Sequence, residues 1–117
     1  MTVTGRFAPS PSGRVHLGNL FCCLLAWLSA RSRGGRMVLR IEDLDTARCP
    51  ARYAVQMIED LRWLGLDWDE GPLRGGPHPP YWQSRRTALY QAALDRLTER
   101  GLVYPCFCTR AELHAAS

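Results

Sequence analysis

The stretch that decides the fold runs Arg6-Phe7-Ala8-Pro9-Ser10-Pro11-Ser12-Gly13-Arg14-Val15-His16-Leu17-Gly18-Asn19. Residues 3–8 have the length of a short strand, and the prolines and glycine that follow them end it in a loop. Beyond the loop, apolar residues recur at helical spacing until the pattern fades near Arg33, and Gly34-Gly35 provides the stop. Residues 37–41 form a second strand-length apolar run. Strand, helix and strand make one βαβ unit, so we expect a parallel pair with a right-handed crossover.

A second helix and a long loop follow this unit. Pro50 suits the first turn of the helix and Gly65 ends it. Five of its residues share an apolar face: Ala54, Met57, Ile58, Leu61 and Leu64. Residues 67–80 are rich in glycine, proline and acidic side chains, which predicts an irregular loop.

Two further helices are expected near the end of the sequence. Ser84 is predicted to cap the third helix, which Gly101 ends and whose inward face comprises Tyr90, Ala93, Leu94 and Leu97. A short extended piece begins at residues 103–104. Thr109 and Glu112 then have the spacing of a capping box, which opens a fourth helix.

Composition indicates one ordinary globular domain. The 117 residues are 46% hydrophobic and 22% charged, without a run long enough to span a bilayer or a signal-peptide pattern, so we expect a cytoplasmic protein. The net charge is +4, and all 15 basic residues are arginine. Five cysteines are an odd number, which argues against a disulfide framework. Cys22 and Cys23 are expected to be small buried apolar residues of the first helix.

The opening stretch also places groups suited to a nucleotide at one edge of the sheet. Ligands of open α/β sheets collect at the carboxyl ends of the strands, where helix N-termini favour phosphates. His16 can donate a hydrogen bond to a phosphate oxygen, and Gly18 allows a flat ring or a backbone segment to approach. The alternative is structural: His16 caps the helix and Gly18 is a packing glycine. The preceding proline-rich loop and the following helix favour the functional interpretation.

In combination, these motifs resemble the glutamyl-tRNA synthetase family of class I aminoacyl-tRNA synthetases. The similar segments are residues 6–13, His16-Leu17-Gly18-Asn19, residues 40–45 and 65–72, Gln83-Ser84-Arg85, Tyr90 and Cys106-Phe107-Cys108. The resemblance implies an α/β fold: a Rossmann-like class I synthetase catalytic domain with a parallel sheet and flanking helices, of which the chain holds the N-terminal half. Residues 1–105 would belong to this nucleotide-binding domain and residues 106–117 would start a zinc-binding insertion. Asn19 replaces the second histidine of the usual His-x-Gly-His signature, a variation that glutamate-specific members tolerate.

The resemblance further implies ATP-dependent activation of glutamate and its transfer to tRNA. Arg6 would pair with the side-chain carboxylate of glutamate, and Glu42 with its α-ammonium group. The glutamate pocket would also include Phe7, Ala8, Pro9 and Ser10. ATP would be held by Pro9, Ser10, His16, Gly18 and Asn19, with His16 and Gly18 catalytic and Mg²⁺ on the phosphates.

The acidic and basic residues at the strand ends also have structural interpretations. A structural ion pair between neighbouring strand ends is the alternative for Arg6 and Glu42. Asp43 and Asp45 are expected to be solvated or capping groups rather than catalytic ones.

Cys106 and Cys108 project to the same side of an extended segment and form half of a possible zinc site. Tetrahedral zinc needs four ligands, and His114 is the sole nearby further candidate. In the family, the other two ligands come from a segment beyond position 117. The family's lysine-containing ATP loop has no counterpart here, because the sequence contains no lysine. We therefore expect a fragment that, by itself, binds ATP weakly and activates glutamate poorly.

Two branches of the family compete for the sequence. One charges tRNA(Glu), and a shorter one attaches glutamate to the queuosine base of tRNA(Asp). Ser12, Trp82-Gln83-Ser84 and the compact cysteine segment favour the shorter branch, so tRNA(Asp) is the expected partner ahead of tRNA(Glu), bound by a monomer without membrane contact. Alternatives from other classes are an adenylyltransferase for a cofactor precursor, a non-catalytic nucleotide- or RNA-binding fragment, and a small zinc module.

Overall fold

The computed structural model describes residues 2–116. Its elements are β1 (Thr4–Phe7), α1 (Leu17–Arg31), β2 (Arg36–Leu39), α2 (Ala51–Trp63), a 3₁₀ turn (Gln83–Arg86), α3 (Thr87–Glu99) and α4 (Arg110–Ala115). β1 and β2 pair in parallel, with Gly5 opposite Met37 and Phe7 opposite Leu39. The βαβ unit predicted from the opening stretch is therefore confirmed.

The long loop after α2 returns to the second edge of β2. Leu39 N donates to Glu70 O at 2.9 Å, and Ile41 N donates to Tyr81 O at 2.9 Å. Val38 and Glu70 form an isolated parallel bridge, as do Ile41 and Trp82. β2 thus has backbone partners on both sides, which fixes the position of the segment that follows it.

The core is formed by this small sheet, α2 and one face of α1. Its largest fully buried side chains are Leu39, Ile41, Met57 and Leu61. Burying a side chain of this kind contributes roughly 1.5–3 kcal/mol, so these four residues are a main source of stability. The inward face predicted for α2 is confirmed for Ala54, Met57, Ile58 and Leu61 and is wrong for Leu64, which is 45% exposed just past the helix end.

α1 packs on the sheet through small residues. A side chain at Gly5 would bring a Cβ within 2.9 Å of the Ala30 Cβ, so glycine in β1 permits the close approach of the helix. Cys23 is buried as predicted, and burial raises the pKa of its thiol to about 11. The same prediction is wrong for Cys22, which is exposed. Several apolar residues of α1 are also exposed: Leu17, Phe21, Leu24, Leu25 and Leu28.

The chain divides into two compact units, one up to Thr87 and one from Ala88 onward. In the first unit Ser84 lies inside the 3₁₀ turn and does not cap α3, so that prediction is wrong. In the second unit α3 has no buried residue among those described, which contradicts the predicted inward face: Ala93, Leu94 and Leu97 are exposed, and Tyr90 is half-buried.

The end of the chain follows the predictions in part. The capping box is confirmed, since Thr109 Oγ1 accepts from Glu112 N and the Glu112 carboxylate accepts from Thr109 N. Residues 103–104 lie outside the helices and strands, and the extended piece expected there stays a prediction. Within residues 2–116, no helix combines the length and the apolar character needed to cross a membrane.

Candidate functional site

Backbone pairing beyond the two strands brings three charged side chains together. Arg6 is the penultimate residue of β1, while Arg40 and Glu42 follow β2. Arg40 N donates to Phe7 O at 3.0 Å and Glu42 N donates to Pro9 O at 3.0 Å. We call Arg6, Arg40 and Glu42 the strand-end cluster. It lies at the carboxyl ends of parallel strands, the edge at which open α/β sheets bind ligands.

Both arginines of the strand-end cluster contact the same oxygen of Glu42. Arg6 Nη2 lies 2.9 Å from Glu42 Oε1, and Arg40 Nε lies 3.2 Å from that atom. The Arg40 contact is an ion pair and not an aligned hydrogen bond. The side chains of Arg6, Arg40 and Glu42 are 60%, 24% and 17% exposed. The exposed Arg6 can therefore move away at low cost, whereas Arg40 is held in drier surroundings.

The ion pair that the sequence offered as an alternative for Arg6 and Glu42 is thus present. Arg40 was absent from the predicted site. Its position two residues before Glu42 in an extended segment was the available signal, because such residues project from the same face.

His16 and Gly18 act together at the start of α1. His16 is the N-cap, and its Nδ1 accepts a hydrogen bond from Gly18 N at 3.1 Å. An accepting Nδ1 leaves the proton of a neutral imidazole on Nε2, which is then available as a donor. A Cβ at position 18 would lie 3.0 Å from His16 Cε1, so Gly18 also makes room for the ring. His16 therefore caps the helix, as the structural alternative predicted. Because His16 is exposed, its Nε2–H is still able to donate to a ligand.

A shallow cavity of about 170 Å³ gathers most of the predicted ATP residues. It is lined by residues 9–16, Asn19 and Met57, and so includes Pro9, Ser10 and His16. Its volume is below the roughly 300–1,000 Å³ of pockets that enclose a ligand of drug size. A nucleotide bound here would extend beyond the cavity.

Gly18 opens instead on a neighbouring apolar groove of about 570 Å³. The groove is lined by Leu17, Gly18, Leu20, Phe21, Leu24, Leu64 and Leu66. Gly18 thus lines the groove rather than the cavity, although its amide contacts His16 at 3.1 Å. Its apolar lining suits the face of a flat ring rather than a phosphate.

The two aspartates near Glu42 have structural partners. Asp43 is buried and accepts hydrogen bonds from Ser84 N at 3.0 Å and Ser84 Oγ at 2.7 Å. Asp45 is exposed and accepts from Arg48 N at 3.2 Å. Asp45 is thus solvent-exposed, one of the two roles predicted for it, whereas Asp43 is not solvated: it is buried and holds the 3₁₀ turn beside the strand-end cluster.

At the other end of β2, a second charged group attaches the long loop to α1. Arg31 donates to Asp69 Oδ2 at 2.8 Å and to Asp67 Oδ1 at 2.9 Å. Trp27 Nε1 donates to Asp67 at 2.8 Å, and Met37 N donates to Asp69 at 2.6 Å. We call these five residues the loop anchor.

The hydrogen bonds of the loop anchor favour its charged carboxylates. The Trp27 indole and then Arg31 lower the pKa of Asp67. The Met37 amide and then Arg31 lower the pKa of Asp69. Sequence reasoning missed this group, because its members are distant in sequence and only the fold brings them together.

The two predicted zinc ligands, Cys106 and Cys108, are both exposed free thiols. Among residues 2–116, no three His, Cys, Asp or Glu side chains come together as a metal site would require. Two thiols supply half of a tetrahedral donor set, so the described residues do not by themselves fit a zinc ion.

Comparison with known proteins identifies the family. Residues 2–117 match the family of class I tRNA synthetases (E and Q), catalytic domain. The chain belongs to this family. Among similar proteins, a glutamyl-Q tRNA(Asp) synthetase from Symbiobacterium thermophilum is 63% identical over 111 residues. A glutamyl-Q tRNA(Asp) synthetase from Nitratidesulfovibrio vulgaris is 57% identical, and a glutamate–tRNA ligase from Anaeromyxobacter sp. is 54% identical.

These relatives are longer than the chain. The matches cover 95%, 95% and 94% of this chain but 34%, 34% and 23% of the respective relatives. A solved glutamate tRNA ligase from Elizabethkingia meningosepticum, in complex with its amino acid, superposes with a TM-score of 0.84 at 39% identity. The superposition covers 99% of this chain and 23% of the ligase. The predicted family and fold class are therefore confirmed: a part of a class I synthetase catalytic domain, with a parallel strand pair and flanking helices.

Proposed function

We propose that the protein containing this chain activates glutamate with ATP and transfers it to tRNA. The observation that carries the proposal is the strand-end cluster, which places a guanidinium and a carboxylate side by side at the ligand-binding edge of the sheet. Glutamate presents a side-chain carboxylate and an α-ammonium group, the charges that complement this pair. The solved ligase that superposes on the chain is described as holding its amino acid, which supports the proposal.

In this proposal the ion pair between Arg6 and Glu42 occupies the place of the amino acid. Glutamate would exchange the contact between Arg6 and Glu42 for two contacts of its own: Arg6 to the side-chain carboxylate and Glu42 to the α-ammonium group. Phe7, Ala8, Pro9 and Ser10 connect Arg6 to the cavity and would line the amino-acid pocket between the two.

ATP would bind with its phosphates near the start of α1. The His16 Nε2–H is available to donate to a phosphate oxygen, and the helix N-terminus favours the anionic group. Pro9, Ser10 and Asn19 line the same cavity, whereas Gly18 opens on the groove that would take the adenine. Mg²⁺ would arrive on the phosphates and neutralise part of their charge.

The proposed reaction is an adenylation. An oxygen of the glutamate α-carboxylate attacks the α-phosphorus of ATP, and the bond from that phosphorus to the bridging oxygen breaks, which gives glutamyl-adenylate and pyrophosphate. The chain contributes positioning through Arg6 and Glu42 and charge stabilisation through His16. The glutamyl group then passes to the RNA acceptor and AMP leaves.

Glutamate-dependent exchange of pyrophosphate into ATP tests the activation step. We expect exchange with the intact protein and a large loss for Arg6→Met, which keeps the bulk of the side chain but removes its charge. Absence of exchange with any amino acid, with or without tRNA, would contradict the proposal. Residues 1–117 alone are expected to support little exchange.

The proposed acceptor is the queuosine base of tRNA(Asp). Two relatives at 63% and 57% identity carry the name glutamyl-Q tRNA(Asp) synthetase, which supports this acceptor. Transfer to tRNA(Glu) is the second candidate, because glutamate–tRNA ligases reach 54% identity. Incubating labelled glutamate with queuosine-containing tRNA(Asp) and with tRNA(Glu) separates the two. Exchange without tRNA favours tRNA(Asp), since the tRNA(Glu) branch is expected to need its tRNA first.

The proposal assigns residues 1–105 to the nucleotide-binding domain. Residues 106–117 would begin a zinc-binding insertion, to which Cys106 and Cys108 contribute two of four ligands. Zinc analysis of the intact protein, compared with Cys106→Ser, tests this assignment.

A further inference from the structure

We infer that Arg40 is a positioning residue that holds the carboxylate of Glu42 when Arg6 turns to the substrate. The inference rests on the proposed function and deepens it, because it assigns different tasks to the two arginines. Arg6 would be the arginine that exchanges partners. Arg40 would be the arginine that stays.

The first support is the difference in burial between the two contacts. Both arginines lie within 3.2 Å of Glu42 Oε1, but the Arg6 side chain is 60% exposed and the Arg40 side chain 24%. An exposed ion pair contributes little and opens readily, whereas a less hydrated pair is more strongly attracted. When the pair opens, Arg6 is therefore the partner that leaves.

The second support is the backbone on which Arg40 stands. Its amide donates to Phe7 O at 3.0 Å, and the next residue, Ile41, is fully buried and hydrogen-bonded to Tyr81 O at 2.9 Å. Arg40 thus projects from a segment that is paired on both sides. A carboxylate held from such a base keeps its direction after Arg6 has moved.

The third support is the choice of oxygen. Both arginines contact Oε1 of Glu42. Arg40 can therefore keep Oε1 while Oε2 turns to an ammonium group. Without Arg40, the Glu42 carboxylate would lose its second arginine, and the ligand's ammonium group would have to compete with Arg6 for it.

The test compares glutamate with glutarate, which keeps both carboxylates but lacks the ammonium group. Isothermal titration of the intact protein would measure both ligands, and ATP as a control, for the wild type, Arg40→Met and Arg40→Lys. Arg36→Met is the matched control, since Arg36 lies at the start of β2, the strand that Arg40 follows, and its Nη2 pairs with Glu70 Oε1 at 2.9 Å, away from the cluster. Thermal unfolding of each variant checks that it is folded.

We expect Arg40→Met to weaken glutamate binding about tenfold. Glutarate should weaken by no more than about threefold, because it does not use Glu42. ATP binding should be unchanged, Arg40→Lys should recover part of the glutamate affinity, and Arg36→Met should bind both ligands as the wild type does.

A pure charge effect gives the opposite order and would overturn the inference. Removing a cation disfavours the doubly charged glutarate more than the singly charged glutamate, so an equal or larger loss for glutarate excludes positioning. Unchanged glutamate binding in Arg40→Met also overturns it and leaves the proposed function intact. A wild type that binds no glutamate overturns both.

Discussion

The two ends of β2 each carry a group of arginine and carboxylate side chains, but the donors that contact the carboxylates differ. In the loop anchor, each carboxylate accepts from a neutral donor as well as from Arg31: Asp67 from the Trp27 indole and Asp69 from the Met37 amide. In the strand-end cluster, the Glu42 carboxylate contacts two arginines and, within residues 2–116, no neutral donor. A carboxylate bound to backbone and indole groups is fixed by the fold. One that faces only charged side chains can exchange a partner for a ligand.

The difference follows from what each group stabilises. Asp69 joins the long loop to the first residues of β2 and to α1, so its loss would release several elements. The Glu42 side chain contacts the side chains of Arg6 and Arg40, and the ladder that pairs residues 4–7 with residues 36–39 does not include Glu42. The comparison therefore predicts that mutations at the loop anchor reduce stability, and that mutations at the strand-end cluster reduce glutamate binding.

The largest expected effect is that of Glu42→Gln on activity. The substitution keeps the shape of the side chain and removes the charge proposed to pair with the ammonium group. We expect kcat/KM for glutamate to fall at least about a hundredfold, roughly 3 kcal/mol, with a stability change below about 1 kcal/mol. Pyrophosphate exchange and urea unfolding measure the two quantities. Asp45→Asn, at an exposed capping carboxylate nearby, is the control and should change neither.

Asp69→Ala should have the opposite profile. It leaves the Met37 amide and Arg31 Nη1 without the carboxylate that accepts from them, which lowers the free energy of unfolding by about 2 kcal/mol. Urea unfolding measures the loss, and KM for glutamate should stay close to that of the wild type under conditions where the variant is folded. A stable Asp69→Ala protein with impaired glutamate binding would contradict the assignment of stability to the loop anchor and of binding to the strand-end cluster.

Acid should weaken the loop anchor. The folded pKa values of Asp67 and Asp69 lie below the ordinary value of 3.8, so their contribution to stability is fully present above pH 5. It is lost as the pH falls through 3.8 toward the lower folded values. Unfolding free energies measured from pH 7 to pH 3 should decrease more steeply for the wild type than for Asp69→Ala. Parallel curves for the two proteins would show that Asp69 contributes no pH-dependent stability, which would contradict a lowered pKa.

The smallest effect is expected for Ser84→Ala. The buried Asp43 would lose the hydroxyl donor at 2.7 Å but keep the Ser84 amide at 3.0 Å, which costs about 1 kcal/mol. Glutamate binding should change little, because Asp43 is a fixed carboxylate like those of the loop anchor. A tenfold rise in KM for glutamate would instead connect the 3₁₀ turn to the substrate site.

The sequence predicted the βαβ unit because its signals are local. The proline-rich loop, the helical spacing after Leu17 and the glycines at 34 and 35 each specify their own element. The parallel pairing then follows from topology, and it brings Arg6 next to Glu42. The family resemblance gave these two residues their proposed roles, which spacing alone did not.

The features that were missed depend on contacts between distant segments. Ser84 has a good capping residue type, but its hydroxyl is engaged by Asp43, 41 residues earlier, and α3 begins later at Thr87. Cys22 fits an apolar helical pattern, yet the helix is covered on the side of Cys23 only. Periodicity identifies a helix and cannot tell which part of its apolar surface the described chain covers.

A crystal structure of the intact protein with glutamate tests the central claim most directly. The account predicts that the Arg6 guanidinium contacts the side-chain carboxylate of the ligand, that Glu42 contacts its ammonium group, and that the 2.9 Å contact between Arg6 and Glu42 is gone. Arg40 should remain within ion-pair distance of Glu42. Glutamate bound elsewhere, with Arg6 still paired to Glu42, would contradict the account.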